Sequence, residues 1–285
     1  KHQNSKTFLH FFLIRLEYCI AYFLSSHLCF LLQMELVKIY FRTVYNVRKF
    51  SCADIYSVNM TMKVYVGHDS REDIAYQVCE HSIRRRDPSA EVIPLKQRQM
   101  REQGMYTRPV DKLASTEFTF TRFFIPYLND FKGWAVFCDC DFVWQIPSHE
   151  LVKYCDPSKA VVCVQHDYKP KEGTKMDGQV QTVYPRKNWS SMVLWNCEHP
   201  KNKLLTPELL NEKDAKFLHR FSWLEDNEIG QLPLEYNWLV EWYKEPQDGK
   251  PKILHYTEGG PWFDGYRECE YADVWKKELI NLFSS

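Results

Sequence analysis

The sequence predicts an α/β protein whose mixed, mainly parallel sheet is flanked by helices. Two short apolar runs of strand type, 62–67 and 91–95, enclose a segment of helical periodicity, 72–85. A strand–helix–strand unit of this kind implies two parallel strands joined by a right-handed crossover. Further apolar runs at 135–138 and 160–165 supply strands for the same sheet. We therefore expect one sheet that is covered by helices.

The remaining elements follow from spacing and capping signals. Asp69 or Ser70 is a suitable cap for the first helix, because short polar side chains accept hydrogen bonds from the free N–H groups of a first turn. The run 190–195 is strand-like. Helices are predicted at 115–128, 207–217, 223–229 and, with an amphipathic pattern, 271–283.

The first 61 residues differ in character from the rest of the chain. Residues 8–32 are long and apolar enough to approach a membrane span, yet they include Arg15 and Glu17. A charge at the centre of a span costs about 3 kcal/mol on insertion scales. Three interpretations compete: a weak membrane anchor, an amphipathic helical extension, or translated upstream sequence foreign to the natural protein. Because methionines directly precede the first convincing strand, we expect an extension, 1–61, and a folded domain, 62–285.

Composition limits the partners and the compartment. Lysine plus arginine and aspartate plus glutamate each number 37 in 285 residues, so the formal net charge is zero. Proteins that bind nucleic acid or anionic membranes usually carry a basic excess, so neither partner is indicated. Ten scattered cysteines without a Cys-x-x-Cys pair favour free thiols in a reducing cytoplasm over a disulfide scaffold or a zinc site. We expect a cytoplasmic protein, with peripheral membrane association left open.

The most informative segment is 134–144, in which an apolar run of strand type ends in Asp139 and Asp141. Strand side chains two positions apart point the same way, so both carboxylates are expected to converge at the carboxyl end of the strand. Two carboxylates about 4 Å apart repel by roughly 4 kcal/mol at an effective dielectric constant of about 20. A divalent cation removes this repulsion, and oxygen ligands suit Mg²⁺ or Mn²⁺. The alternative is a pair of acidic residues in a loop.

Four segments in order resemble nucleotide-sugar glycosyltransferases of the GT-A fold, most closely those of family 8. The first strand ends in Val-Gly-His-Asp at 66–69, which is similar to the nucleotide-binding opening of that family. The stretch 115–126 resembles its helix whose arginine, here Arg122, approaches the nucleotide. Residues 138–141 match its Asp-x-Asp metal motif, and 255–262 resembles its closing element, which begins with a metal-binding histidine.

The resemblance implies a single catalytic domain that transfers a hexose from a nucleotide diphosphate sugar, UDP-linked, to a hydroxyl acceptor with retention of anomeric configuration. It implies a Mn²⁺ or Mg²⁺ ion held by Asp139, Asp141 and His255, the last delivered by a strand-like run at 251–254. The implied contacts of the donor nucleotide are Gly67, Asp69, Arg71, Arg122, Gly259, Gly260 and Trp262.

The segment 223–229 resembles the Asp-Gln-Asp region of the same family. By that match the catalytic residues are Asp226, which contacts donor hydroxyls, and Asn227, which lies near the anomeric carbon. Both could instead be polar residues at the start of a helix. The acceptor is a glycan, a lipid-linked sugar or a protein hydroxyl, and the segments available to contact it are 96–112 and 167–187. The second of these is either a solvated loop or a basic flap.

Departures from the family pattern keep other functions open. Gly260 stands where the family has a phosphate-binding lysine. Either Lys250, Lys252 or a lysine of 167–187 binds the phosphate in its place, or the diphosphate is held more weakly. The donor-sugar segment of the family is replaced by 189–191, Trp-Ser-Ser. One alternative is a catalytically inactive protein that binds a nucleotide or a sugar. A nucleotidyltransferase is another, although the loop after the first strand lacks a phosphate loop rich in glycine and lysine.

Overall fold

The structure is a computed structural model that describes residues 62–110, 114–167, 173–174, 180–181, 185–244 and 250–284. The predicted extension 1–61 lies outside the described residues, so its three interpretations and the domain boundary stay predictions. Most of the predicted basic loop at 167–187 also lies outside them.

The described residues form strands β1 (Lys63–Gly67), β2 (Glu91–Leu95), β3 (Trp134–Cys138), β4 (Phe142–Trp144), β5 (Val161–Cys163), β6 (Gly173–Thr174), β7 (Val180–Gln181), β8 (Met192–Asn196), β9 (Ile229–Gln231), β10 (Trp238–Leu239) and β11 (Ile253–His255). Their helices are α1 (Asp73–Arg86), α2 (Gln97–Glu102), α3 (Ile125–Leu128), α4 (Pro207–Glu212), α5 (Ala215–His219) and α6 (Ala272–Ser284). Short 3₁₀ turns connect several of these elements, and no helix of the described part is long and apolar enough to cross a membrane.

Six strands form the main sheet in the order β2-β1-β3-β8-β5-β9. The β1–β2, β1–β3 and β5–β9 pairs are parallel, and β8 runs antiparallel to both of its neighbours. Five strands therefore share one direction, and the predicted mixed, mainly parallel sheet with flanking helices is confirmed. Central strands β3 and β8 are almost wholly buried, as expected for a sheet covered on both faces.

A second, three-stranded sheet has the order β10-β11-β4. It packs against α1 and α6 around a smaller apolar core that includes Val78, Val143, Leu254, Tyr256 and Trp275. This small core lies beside the main one, which is built on the six-stranded sheet. The two sheets share the chain segment that joins β3 to β4.

The predicted helix at 115–128 is wrong in its first half. Residues 117–120 form turns, a 3₁₀ segment follows at Thr121–Phe124, and only Ile125–Leu128 is α-helical. The Thr119 hydroxyl accepts a hydrogen bond from the Thr116 backbone N–H at 3.2 Å, an alternative to helical bonding that threonine offers. Aromatic spacing alone did not reveal this turn.

Two further helix predictions need correction. The predicted helix 207–217 is two helices, because Lys213 is extended and Asp214 caps α5 by accepting a hydrogen bond from Phe217 N–H. The predicted helix 223–229 is a single 3₁₀ turn followed by β9, since pairing with β5 takes over at Ile229. The predicted Asp69 or Ser70 cap is also absent, because Asp69 instead accepts from the backbone N–H of Arg71.

Helix α6 is held to α1 by the buried carboxylate of Glu278. Arg85 donates two hydrogen bonds to it, both 2.9 Å long, Arg86 donates a third of 3.0 Å, and His81 lies 2.8 Å away. Burial opposes ionisation of this carboxyl, but the two guanidinium groups outweigh that effect and lower its pKa. The C-terminal helix is thereby fixed to the first helix of the domain.

We expect Glu278→Gln to lower the free energy of unfolding by about 3 kcal/mol, because it leaves two arginines facing a site without a counter-charge. Urea unfolding followed by circular dichroism measures the change. Glu268→Gln is the matched control: its ion pair with Lys276 is 86% exposed on the carboxylate side, so the loss should stay within about 0.5 kcal/mol. Equal effects of the two variants would contradict the assignment.

Candidate metal centre

The acidic pair lies where the chain leaves the main sheet and enters the small one. The backbone N–H of Asp139 still donates to the Ser191 carbonyl, 2.9 Å away, and so extends the β3–β8 ladder by one bond. Two residues later the carbonyl of Asp141 accepts from the backbone N–H of Tyr256 at 3.0 Å, just before β4. The crossing between sheets therefore positions both carboxylates at the carboxyl end of β3, where open α/β sheets bind ligands.

The third predicted ligand is delivered by the small sheet. His255 is the last residue of β11 and lies opposite Phe142, the first residue of β4. The His255 and Phe142 rings stack with centroids 4.2 Å apart, and His255 Nε2 is 3.4 Å from Asp141 Oδ2. Ligand atoms of Asp139, Asp141 and His255 all lie within 4.8 Å of one another. The structure thus brings His255 to an acidic pair that precedes it by more than a hundred positions in the sequence.

This set of donor atoms fits a divalent cation. Two carboxylates provide hard oxygen ligands and an imidazole provides one nitrogen, a combination suited to Mn²⁺ or Mg²⁺. Both carboxylates are partly exposed while His255 is 1% exposed, so the cluster opens toward solvent on the acidic side.

A chain of hydrogen bonds orients the imidazole. His255 Nδ1 is 2.9 Å from Asn237 Oδ1, Asn237 Nδ2 donates to Ser191 Oγ at 2.9 Å, and Ser191 Oγ donates to the Asn188 carbonyl at 2.7 Å. Since the Asn237 amide nitrogen is used as a donor, its oxygen accepts, and Nδ1 must carry the proton of the neutral ring. The Nε2 lone pair then faces the carboxylates. Such outer partners commonly set the orientation of metal-binding histidines.

Arg122 contacts the acidic pair directly. Its Nη1 is 2.8 Å from Asp139 Oδ1 and also donates to the Ser190 carbonyl at 2.9 Å. The guanidinium lies over the rings of Phe118 and Phe137, and the residue is 6% exposed. The predicted arginine near the nucleotide is therefore a buried cation that partly compensates Asp139.

Asp69 and Arg71, predicted to contact the nucleotide, bind each other. The guanidinium of Arg71 contacts both carboxylate oxygens of Asp69 at 3.0 and 2.8 Å, and Glu117 N–H donates to the same carboxylate. Burial raises the pKa of Asp69, but these hydrogen bonds outweigh burial and lower it overall. The pair joins the loop after β1 to the turn at 115–117, which Arg71 also reaches through the Ser115 carbonyl.

Glu72 is a buried carboxyl group that the sequence did not single out. It is 8% exposed, and Trp262 Nε1 donates to its Oε2 at 3.2 Å. Burial, reinforced by the nearby charges of Asp141 and Asp69, raises the pKa of Glu72 from 4.5 to about 7. Predicted site residue Trp262 therefore connects the closing element of the chain to an acid close to the metal cluster.

The three predicted site glycines each accommodate an aromatic ring. A Cβ at Gly67 would lie 2.6 Å from the Phe118 ring, and one at Gly260 would lie 1.8 Å from the Trp262 ring. Gly259 has φ +142° and faces Tyr266 in the same way. These positions require glycine because of ring packing, and any contact with phosphate is additional to that requirement.

Asp226 and Asn227 are not brought into the cluster. They form the turn that precedes β9, whose first residue lies level with Val161 at the amino end of β5. Asp139, in contrast, follows the carboxyl end of a strand running in the same direction. The carboxylate of Asp226 is 93% exposed and pairs with Arg186, while the Asn227 carbonyl accepts from Lys159 at 2.7 Å.

The proposed lysine substitutes occupy different places. Lys252 precedes β11, at the opposite end from His255, and its Nζ donates to the Tyr236 hydroxyl at 2.9 Å. Lys250 is exposed, whereas Lys187 is 7% exposed and directly precedes Asn188. Asn188 belongs to the hydrogen-bonded chain that orients His255.

Sequence reasoning missed Asn237 and Glu72, and it placed Ser191 in the 189–191 segment without its role in orienting His255. Asn237 and Ser191 act through other residues, and a single asparagine or serine beside an apolar run carries no distinguishing signal. Glu72 could have been found, because it lies in the acidic stretch that follows β1, at the same end of the sheet as the Asp-x-Asp pair.

Comparison with known proteins places the chain in a family. No family model matches it. Protein CDI of Arabidopsis thaliana is 52% identical over 241 residues, which cover 82% of this chain and 92% of that protein. The chain belongs to the family of Protein CDI.

Solved structures show which fold this CDI-family member has. The apo structure of the bifunctional glycosyltransferase WbbM matches with a TM-score of 0.55 at 16% identity, covering 79% of this chain and 52% of that chain. The apo form of the glycosyltransferase GlyE of Streptococcus pneumoniae TIGR4 matches with a TM-score of 0.51 at 15% identity, covering 79% and 64%. The chain thus spans about half of WbbM and less than two thirds of GlyE. These likenesses show the fold, and the predicted GT-A architecture is confirmed.

Orientation of His255 by Asn237 is testable in this CDI-family protein. We expect Asn237→Leu to weaken Mn²⁺ binding about 10- to 100-fold, because the imidazole loses the partner that holds its tautomer. Isothermal titration calorimetry with MnCl₂ measures the affinity. Asn129→Leu is the control, since Asn129 is also buried but bonds to the Ile125 carbonyl before β3, at the other end of the sheet. Unchanged Mn²⁺ affinity in Asn237→Leu would refute the role.

The raised pKa of Glu72 makes stability depend on pH. The folded state binds more protons than the unfolded chain between about pH 4.5 and 7, so the free energy of unfolding falls as pH rises through that window. We expect a fall of the order of 3 kcal/mol that is absent from Glu72→Gln. Urea unfolding in EDTA at the two ends of the window measures it. Glu102→Gln, an exposed control, should keep the wild-type pH dependence. Parallel curves for wild type and Glu72→Gln would contradict the assignment.

Proposed function

We propose that this protein is a metal-dependent glycosyltransferase that moves a hexose from a nucleotide diphosphate sugar, UDP-linked, to a hydroxyl acceptor. The observation that carries the proposal is the convergence of Asp139, Asp141 and His255 at the carboxyl end of a GT-A sheet. The resemblance to family 8 supports UDP as the nucleotide and retention of anomeric configuration. In the reaction, the bond from the anomeric carbon to the β-phosphate oxygen breaks, a bond to the acceptor oxygen forms, and the proton of the acceptor hydroxyl leaves with the nucleoside diphosphate.

The three cluster residues would hold Mn²⁺ or Mg²⁺. When bound, such a cation supplies Lewis-acid stabilisation of the diphosphate leaving group. Asn237 keeps the Nε2 lone pair of His255 directed at the site, and Arg122 holds the carboxylate of Asp139 in place. Both functions depend on side chains that are already positioned before substrate arrives, as electrostatic catalysis requires.

Donor contacts are proposed at the loop after β1 and at the closing element. Gly67, Asp69 and Arg71 shape the first of these, and the second contains the remaining candidates, Gly259, Gly260 and Trp262. Their ring packing and ion pairing support a role in shaping the backbone that faces the donor. The catalytic role of Asp226 and Asn227 rests on the family resemblance alone, since both precede β9.

The negative charge of the diphosphate requires a second cation, besides the metal, to neutralise it. Position 260 cannot supply one, because Gly260 is covered by Trp262. Among the described candidates, Lys187 is buried and adjoins the Asn188 segment, so it is the lysine that we propose as the substitute. The acceptor, a glycan, a lipid-linked sugar or a protein hydroxyl, would approach through 96–112 or 167–187. A cytoplasmic location, with or without peripheral membrane association, remains part of the proposal.

A non-catalytic nucleotide- or sugar-binding protein is the second candidate. The observation in its favour is the absence of a cation at position 260, which weakens the expected hold on a leaving diphosphate. An assay of turnover separates it from an enzyme.

The test is hydrolysis of UDP-, GDP- and ADP-hexoses by the full chain with Mn²⁺, Mg²⁺ or EDTA. We expect Mn²⁺- or Mg²⁺-dependent release of UDP, reduced by Asp141→Ala and His255→Ala at least about 100-fold because the cation site is lost. Glu150→Ala, a half-exposed residue of a surface 3₁₀ turn, is the control. Binding of a nucleotide sugar without turnover, and with no effect of EDTA, would exclude the metal-centred mechanism and favour the binding protein.

A further inference from the structure

His166 lies at the same end of the sheet as the candidate metal ligands but follows a different strand. It follows β5, which runs in the same direction as β3, so His166 and Asp139 both emerge from the carboxyl ends of their strands. The side chain is 5% exposed. Neither the motifs nor the family resemblance assigned it a role.

The imidazole of His166 is held from two sides. Its Nδ1 is 2.8 Å from the Tyr243 hydroxyl, and the two rings are nearly parallel, with centroids 6.0 Å apart and planes inclined by 22°. The carbonyl of His166 accepts a hydrogen bond of 3.0 Å from Trp189 Nε1. Backbone and ring are therefore fixed independently.

The other ring nitrogen has no such partner. His166 Nε2 is fully buried and makes no hydrogen bond to any residue that the structure describes. The two nitrogens leave the ring in different directions, so Nε2 points away from Tyr243. A buried polar atom without a partner is destabilising, and native proteins seldom keep one without a reason.

The surroundings of His166 determine which chemical group suits Nε2 as a hydrogen-bond partner. Burial, together with the nearby His255, lowers the pKa of His166 to about 3, so the imidazole is neutral at physiological pH. A neutral imidazole nitrogen suits a hydroxyl group and offers no positive charge to a phosphate.

The strand order indicates which part of the ligand would lie near His166. The main sheet runs β1-β3-β8-β5, so the loop after β1 and the segment after β5 lie on opposite sides of Asp139. A nucleotide sugar whose diphosphate lies at the metal cluster and whose nucleoside occupies the β1 side would extend its sugar toward the β5 side. Nε2 of His166 is a buried polar atom on that side without a hydrogen-bond partner among the described residues.

We propose that Nε2 of His166 hydrogen-bonds a hydroxyl group of the glycosyl unit of the donor and thereby distinguishes an intact nucleotide sugar from the bare nucleoside diphosphate. Tyr243 is the positioning residue that sets the ring through Nδ1. The inference rests on the proposed function, since it names a contact within the same site.

The experiment compares two substitutions at one position. Asparagine can reproduce the Nδ1 contact of histidine but not Nε2, whereas glutamine reaches farther and can place a polar atom near Nε2. His166→Asn, His166→Gln and wild type are titrated in Mn²⁺ with UDP-, GDP- and ADP-hexoses and with the matching nucleoside diphosphates. His199→Asn is the control, because His199 follows β8, an antiparallel strand, and lies at the other end of the sheet.

We expect His166→Asn to bind the intact donor about tenfold more weakly, the equivalent of one hydrogen bond, and the nucleoside diphosphate with unchanged affinity. His166→Gln should recover part of the loss. Tyr243→Phe, which keeps the ring stack but loses the hydroxyl, should show a smaller loss for the donor alone. If His166→Asn does not fold, Tyr243→Phe provides the test instead.

Three results would overturn the inference. Equal weakening of donor and nucleoside diphosphate would make His166 a structural residue, and no weakening of either would leave Nε2 unused by the ligand. Loss of donor affinity in His199→Asn would mean that the effect is not specific to this end of the sheet. If wild type binds none of the nucleotide sugars, the proposed function itself fails, and that result is separate from the behaviour of the variants.

Discussion

The transfer of the chain from one sheet to the other between Cys138 and Phe142 is the constraint on which the site depends. Asp139 is still bonded to β8 through Ser191, and Asp141 is already bonded to the small sheet through Tyr256. The two carboxylates are therefore positioned by separate hydrogen-bond ladders. Because His255 ends the middle strand of the small sheet, the same arrangement delivers the imidazole. Backbone pairing thus brings the three candidate metal ligands together, and side-chain packing refines their positions.

Concentration of acidic groups at this end of the sheet has electrostatic consequences. Asp69 is compensated by Arg71, and Asp139 by Arg122, each at about hydrogen-bond distance. Burial and the nearby charges of Asp141 and Asp69 outweigh the more distant Arg71 at Glu72 and raise the pKa of this carboxyl to about 7. The remaining excess of negative charge is what a divalent cation, and then a cation close to the diphosphate, would balance. Next to this charged region, the ring of Phe118 packs against Gly67 and the ring of Trp262 packs against Gly260.

Sequence patterns failed where two local structures compete and a distant partner decides between them. The aromatic run at 115–128 has helical spacing, yet Phe118 must cover Gly67 and Thr119 bonds to Thr116, so the chain turns there. At 223–229 the polar residues suggest a helix start, but Ile229 finds β5 as a partner and becomes a strand. The orienting roles of Asn237 and Ser191 could not be predicted, because they depend on the distant imidazole that the two residues orient.

The sequence by itself determined the fold class, the positions of five of the six strands of the main sheet and the paired carboxylates Asp139 and Asp141. Those features depend on local periodicity and on residue chemistry at strand ends, which a single sequence contains. His255 was predicted as the third ligand from the resemblance to family 8. Only the tertiary structure decided that Arg122 pairs with Asp139 and that Asp226 and Asn227 lie before β9. It also showed that a buried nitrogen of His166 has no hydrogen-bond partner among the described residues. These are properties of pairs of residues far apart in sequence, and their geometry depends on how the two sheets meet.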